Sequence, residues 1–273
     1  MRLRFLGTGT SSGVPVIGCD CRVCASDDPR DNRLRTSAAL EFTDHEGHDR
    51  VILIDAGPDL RQQVLSAGLA RCDAVLLTHN HVDHCFGLDE LRRFNVMMGG
   101  PIDIYADAPT LKAVRRVYAH IFDRASLKQD SFIATLIPFE LEHYRTFELF
   151  GLRITPITLL HGRVPILGYR FEWAEGKAGS AGSALPLAYC TDVSSIPPET
   201  WPHLNGLSVL VLDALRHRKH PTHFTLEQAE SVADRVDADR TFYVHMSHDL
   251  PHAATDAELS DGRGLAYDGL SVD

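Results

Sequence analysis

The run Thr78-His79-Asn80-His81-Val82-Asp83-His84 places three imidazoles and a carboxylate within six residues, directly after the apolar run Ala74-Val75-Leu76-Leu77. An apolar run of that length reads as a buried strand. The polar cluster therefore sits at a strand's C-terminal end, where α/β enzymes carry their sites. In extended chain, residues two apart share a face, so His79, His81 and Asp83 are expected to face one pocket while His84 turns into the next helix. Imidazole nitrogen and carboxylate oxygen together suit zinc, manganese or iron rather than calcium or magnesium. A single buried histidine is usually a satisfied core residue, but four candidate ligands in six positions are not. The run reads as a metal site.

The spacing resembles the HxHxDH motif of the metallo-β-lactamase superfamily, a fold of mostly hydrolases. That resemblance implies further ligands after later strands, in a set order, and the chain supplies candidates. His161 follows Leu152-Arg153-Ile154-Thr155-Pro156-Ile157, Asp192 follows Ala188-Tyr189-Cys190-Thr191, and His245 follows Thr241-Phe242-Tyr243-Val244. It also implies an αββα sandwich, where periodicity alone says only α/β.

Composition narrows the class. The 273 residues, 44% apolar, suffice for one large α/β domain with a real core, and residues 1–273 are read as a single metallo-hydrolase domain. No stretch approaches the ~20 apolar residues of a membrane span. The N-terminal run Met1-Arg2-Leu3-Arg4-Phe5-Leu6 meets Gly7 without the apolar core of a signal peptide, so a cytoplasmic location is expected. That counts against an exported antibiotic-hydrolysing lactamase. A net charge of −10 argues against long nucleic acid as a partner, transfer RNA included. It leaves room for a small anionic substrate held by a local basic cluster, and Arg216-His217-Arg218-Lys219-His220 after the run Leu207–Leu212 is such a cluster.

Cys19, Cys21 and Cys24 form a C-x-C-x-x-C run, read in a reducing compartment as metal ligands rather than disulfides. Three thiolates leave a tetrahedral zinc one ligand short. His248 is the candidate fourth, because an odd separation from His245 in extended chain sends the two rings to opposite faces. The zinc loop is placed near residues 18–25. Cys72, Cys85 and Cys190 read as small buried hydrophobes. The combination Gly7-Thr8-Gly9-Thr10-Ser11-Ser12-Gly13-Val14-Pro15, Gly18-Cys19-Asp20-Cys21, Cys24 and Val244-His245-Met246-Ser247-His248 looks like the phosphoribosyl 1,2-cyclic phosphodiesterase family of phosphonate breakdown. The quinone-cofactor biosynthesis B proteins resemble the same cysteine loop.

The resemblance implies His79, His81 and His161 on one divalent metal, Asp83, His84 and His245 on a second, and Asp192 as the bridge. Manganese or zinc, or iron, would fill the pair, beside one structural zinc. Two metals about 4 Å apart can stabilise the attacking and leaving oxygens of a phosphoryl transfer. Asp55, closing Val51-Ile52-Leu53-Ile54, is a candidate to orient a ligand imidazole. By the resemblance, His223 is placed as the acid that protonates the leaving sugar oxygen; its bland reading is a surface histidine before a helix cap. Arg163, Arg216 and Arg218 are candidates for a terminal phosphate. The expected substrate is a small cyclic or nucleotide-like phosphodiester, first a ribose 1,2-cyclic phosphate. A thioester or lactone hydrolase and a non-catalytic quinone-cofactor carrier are the alternatives, and a homodimer is left open.

Other strand-like runs fall at Arg2–Leu6, Ser37–Phe42, Ile102–Tyr105, Leu167–Phe171 and Leu265–Tyr267. Helical patterns fall at Asp59–Ala67, Leu88–Met97, Ala108–Ile121 and Leu226–Val236, the last opening on the Thr225/Gln228 spacing of a capping box. Thr43–Asp49 reads as a hairpin turn with Gly47 at positive φ and His45 and His48 exposed. Gly176–Ser183 reads as a flexible loop between strands.

Overall fold

Val51-Ile52-Leu53-Ile54 shows no polar position because both faces of its strand are covered. Ile52 and Ile54 point into a core between two sheets, whereas Val51 and Leu53 point into a second core under helices. Leu76 and Val75 divide in the same way. In the other sheet Val209 and Val211 face the shared core, and Leu210 and Leu212 face a third. The period-2 alternation of side chains thus builds three apolar layers, which is an αββα sandwich.

The computed structural model describes residues 1–123, 132–175 and 183–273. The first sheet runs β14 (Ser271–Val272), β1 (Arg2–Gly7), β2 (Ser37–Thr43), β3 (Asp49–Ile54), β4 (Ala74–Leu76), β5 (Ile102–Ala106), β6 (Leu136–Glu140). The second runs β13 (Arg263–Leu265), β12 (Arg240–Val244), β11 (Val209–Asp213), β10 (Leu187–Cys190), β9 (Val164–Trp173), β8 (Leu152–His161), β7 (Phe147–Leu149). Strands β3 to β6 are mutually parallel, as are β10 to β13. Each set therefore ends along one edge. Helices α1 (Leu60–Ala67), α3 (Arg92–Met98) and α4 (Ala108–Val117) cover the first sheet, and α6 (Leu226–Val236) covers the second. Among the described residues no helix is long and apolar enough to cross a membrane.

Several boundaries differ from the sequence reading. The Ala108–Ile121 pattern breaks at Tyr118, which leaves helical geometry (φ −103°, ψ 41°) before the short α5 (Ala119–Phe122). Leu88–Leu91 winds as a 3-10 turn ahead of α3. β8 and β9 extend into a hairpin of two ten-residue strands, with His161 opposite Val164 across the Gly162-Arg163 turn. β6 was hidden by Pro138, which a strand tolerates here because β6 lies at the sheet edge. The Thr43–Asp49 turn forms with Gly47 at φ 85° and His45 and His48 exposed. The loop read at Gly176–Ser183 lies, except for Ser183, outside the described residues. The capping box of α6 is complete: Gln228 N–H donates to the Thr225 hydroxyl, and Thr225 N–H donates to the Gln228 side-chain oxygen Oε1.

One close approach matters for the site. The short helix α2 (Val82–Cys85) rests on the chain just after β3, with Ala56 N–H donating to His84 O and Gly87 N–H to Ala56 O. A Cβ on Gly57 would stand 2.0 Å from Asp83 O, and one on Gly87 would stand 2.0 Å from Gly57 O. Both contacts are with backbone, which cannot step aside as a side chain can. Gly57→Ala should therefore destabilise the fold by about 1–3 kcal/mol, the usual cost of overpacking, and lift α2 from β3. Thermal denaturation alongside metal analysis checks this: a wild-type melting curve would contradict it, and reduced metal retention should accompany the loss.

Candidate metal centre

Strand ends converge on one pocket. His79 and His81 follow β4, His161 ends β8, and Asp192 follows β10. One ligand atom from each lies within 4.8 Å of the others. A second group meeting the same limit joins Asp83, His84, Asp192 and His245. Asp192 belongs to both. The expectation that Asp83 shares a face with His79 and His81 through extended chain is corrected here. The chain turns helical at Val82, so Asp83 travels with His84 on α2 and joins the second group.

The distances fit a cation in the second group. His84 Nε2 lies 3.3 Å from Asp83 Oδ2 and 3.2 Å from Asp192 Oδ1. His245 Nε2 lies 3.6 Å from Asp83 Oδ2 and 3.3 Å from Asp192 Oδ2. Ligands bound at 2.0–2.1 Å around a tetrahedral ion stand about 3.3 Å apart. The Nε2 atoms of His79, His84 and His245 are buried with no hydrogen-bond partner among the described residues. Orphaned polar atoms of that kind are costly unless something binds them. The donor set fits the metal.

Outer partners fix which ring nitrogen faces inward. His84 Nδ1 donates to Asp55 Oδ2 at 2.7 Å. The Thr78 hydroxyl gives its one proton to the same Asp55 oxygen at 2.8 Å, so it accepts from His79 Nδ1 at 3.0 Å. His161 Nδ1 donates to the carbonyl of Asp192 at 2.9 Å. Each bond leaves Nε2 for the pocket. Asp55, Asp192 and His245 adopt φ of 63°, 57° and 61°, a left-handed geometry that costs a non-glycine residue about 1–2 kcal/mol and clusters at functional sites.

The field of the pocket favours cations. Burial opposes the His84 imidazolium, yet Asp192 and Asp55 outweigh it and hold its pKa well above the ordinary histidine value. Burial likewise works against the Asp192 and Asp83 carboxylates, and in both the surrounding imidazoles prevail and hold the pKa low. Farther from the carboxylates burial wins: it depresses His79 well below the ordinary value and His161 to about 4. These rings are neutral, as ligands must be.

His223 is buried rather than on the surface, its ring 4.7 Å from that of His161 and 4.6 Å from that of His245. Its Nδ1 stands 3.0 Å from Asp213 Oδ2, which also accepts from the backbone of Val193 and Phe224. Burial, then His245, push the His223 pKa down to about 3. Asp213 went unread in the sequence. It closes the apolar run Val209-Leu210-Val211-Leu212, the same signal that marked Asp55, and it is fully buried.

The cysteine loop forms a separate group. The Sγ atoms of Cys19, Cys21 and Cys24 lie 3.3, 3.5 and 3.3 Å from His248 Nδ1, where zinc bonds of 2.3 Å to sulfur and 2.0–2.1 Å to nitrogen require about 3.5 Å. The reason for this placement differs from the parity expectation, since the strand ends at Val244 and His245 itself takes a left-handed φ of 61°, which breaks the alternation. Met246 instead exchanges backbone bonds with Thr8 and Thr10, and the buried Arg33 guanidinium donates to Ser247 O and Leu250 O. These ties bring His248 to the cysteines. Cys72, Cys85 and Cys190 are buried.

The basic candidates sit outside the ligand groups. Arg163 is exposed in the β8–β9 turn, and Arg216 donates to the carbonyls of Arg218 and Lys219. Arg218 pairs with Asp249 at 3.2 Å.

A family model described as the beta-lactamase superfamily domain matches residues 50–246. A solved structure described as a new diphosphatase from the PhnP family is 41% identical, covers 100% of this chain and 97% of its own, and superposes with a TM-score of 0.85. An octanoyltransferase of Porphyromonas gingivalis is 37% identical across 100% of this chain, which spans 51%, about half, of that relative's length. Zinc-bound PqqB of Methylobacterium extorquens, 23% identical with 100% of both chains covered and a TM-score of 0.77, shares the fold.

Asp192→Asn should empty both groups of metal together and lower activity by more than the 10–100-fold, roughly, that loss of an outer partner costs. His161→Ala should chiefly deplete the first group. Metal analysis of both variants decides, and equal single-metal losses would refute the shared role of Asp192. Cys21→Ser should lower the melting temperature before it alters turnover, because a closed thiolate site is coupled to folding. One zinc should survive mild chelation in the wild type and be missing in this variant.

Proposed function

We propose a metal-dependent phosphodiesterase function for this chain, which belongs to the beta-lactamase superfamily, with a ribose 1,2-cyclic phosphate as the first candidate substrate. The observation that carries this reading is Asp192, whose carboxylate is common to two ligand groups that together offer six further donors. Divalent ions held there supply Lewis acidity toward phosphoryl oxygens and lower the pKa of water from 15.7 to about 7. His79, His81 and His161 would hold one ion, and Asp83, His84 and His245 the other. Manganese, zinc and iron suit this mixed nitrogen and oxygen set. Cys19, Cys21, Cys24 and His248 would hold a structural zinc.

The protein's own contribution is positioning. Asp55 and Thr78 keep His84 and His79 turned inward, and burial of the pocket strengthens every charge interaction within it. Asp213 holds the His223 ring between His161 and His245. The ring is neutral in the pocket alone, and His223 would give the proton that the departing sugar oxygen needs once a bound phosphoryl anion, with the Asp213 carboxyl at Nδ1, favours its imidazolium. Arg163, Arg216 and Arg218 lie on loops that could meet a terminal phosphate. In this reading residues 1–273 act as one metallo-hydrolase domain, in the cytoplasm, on a small anion rather than on a membrane or long nucleic acid.

A second reading is hydrolysis of a phosphoanhydride, favoured by the 41% identical structure described as a diphosphatase. Both reactions displace an oxygen from phosphorus and differ in leaving group. Metal-loaded protein assayed on ribose 1,2-cyclic phosphate, bis(p-nitrophenyl) phosphate, a nucleoside diphosphate, a thioester and a lactone separates them. Thioester or lactone turnover alone would replace the phosphoester reading. No turnover of any kind would favour a binding or carrier role.

His223→Ala should retain all metals yet lower turnover of the cyclic phosphate about 10²–10⁴-fold, the range of general acid catalysis. The loss should be far smaller with p-nitrophenolate, which departs without a proton. An equal loss on both leaving groups would assign His223 to substrate binding instead.

A further inference from the structure

His220 is half-buried, and its ring centre lies 5.1 Å from that of His223. Its Nδ1 is committed: Thr222 N–H points at it from 3.4 Å and the Thr222 hydroxyl stands 3.2 Å away. A backbone N–H can only donate, so Nδ1 is an acceptor and the ring proton of the neutral imidazole resides on Nε2. Among the described residues Nε2 meets no acceptor. The loop that carries it is braced, since a Cβ on Gly162 would stand 3.0 Å from Thr222 Cγ2, placing the β8–β9 turn with Arg163 directly against Thr222. His245, His223 and His220 thus form a continuous file of rings from the buried pocket to its rim.

We propose that His220 is a substrate-binding residue, a pre-oriented Nε2–H donor that takes a phosphoryl oxygen beside the one reached by His223. The proposal rests on the phosphoester reading of the pocket. Two imidazoles with centres 5.1 Å apart can contact neighbouring oxygens of one phosphoryl group. The donor costs little to order, because Thr222 has already chosen its tautomer and fixed its ring; preorganisation of this kind raises affinity by reducing what binding must immobilise. The ligand class is a phosphate-like oxyanion.

Two measurements test it with inorganic phosphate as the probe. In ¹⁵N-histidine-labelled protein, the His220 resonances should show a protonated Nε2 and a bare Nδ1. Titration calorimetry should show phosphate binding to the metal-loaded wild type, weakened about 10–100-fold in His220→Ala, as for a lost hydrogen bond to a charged group. Metal content should be unchanged. His220→Gln, whose amide N–H can occupy the place of Nε2–H, should recover most of the affinity, which a merely structural role would not allow. Protonation at Nδ1, unchanged affinity in His220→Ala, a Gln variant as weak as Ala, or no phosphate binding by the wild type would each overturn the assignment. The phosphoester reading fails separately, when the wild type binds phosphate but hydrolyses no phosphoester.

Discussion

The Asp192 carboxylate, 2% exposed and enclosed by the rings of His79, His84 and His245, is the interaction on which the pocket depends. An ionised carboxylate taken out of water costs several kcal/mol unless compensated. Here compensation comes from three imidazoles and from the Thr191 hydroxyl, which donates to Oδ1 at 2.7 Å. The backbone carbonyl of the same residue orients His161. One residue therefore joins the two ligand groups through its side chain and orients one of their members, His161 at the end of β8, through its main chain. Its left-handed φ is tolerated because these contacts over-determine it.

The sandwich delivers these groups by repeating one device. A strand covered on both faces ends, its last apolar residue enters a core, and the next polar residues emerge at the edge where both sheets terminate. Asp55 after β3, His79 after β4, Asp192 after β10 and His245 after β12 all arrive this way, and Asp213 closes β11. Rigid strands below hold the ligands to small tolerances, which loops alone would not. The carboxylates come from both sheets, so the packing of the sheets also sets the field that draws cations into the pocket.

The cysteine loop is tied to the same edge from the other side. Gly9 bridges both Arg35 and Met246, and Met246 is the residue after a pocket ligand. A structural site formed by Cys19, Cys21, Cys24 and His248 would brace the turn between His245 and His248. Loss of thiolate ligands would then reach the pocket only through the backbone, as stability before chemistry.

Much of this was legible in the chain. Apolar runs closed by a polar residue marked the strands and most ligands, because burial on both faces forbids polar positions and the end of burial permits them. The C-x-C-x-x-C spacing marked the thiolate group, because few other arrangements of three thiols serve a reducing compartment. Tertiary structure decided the rest. Asp83 parted from His79 and His81 because α2 begins at Val82, supported by the bare backbone of Gly57 and Gly87 beneath it. Asp213 gained its partner only when His223, ten residues on, folded back over it. β6 was unreadable behind Pro138, since the tolerance of an edge position is a property of the sheet and not of the residue. Sequence alone determined which atoms can bind metal, because that is the chemistry of the side chain. Which of them share an ion depends on where separate strands end in space, and local sequence does not encode that distance.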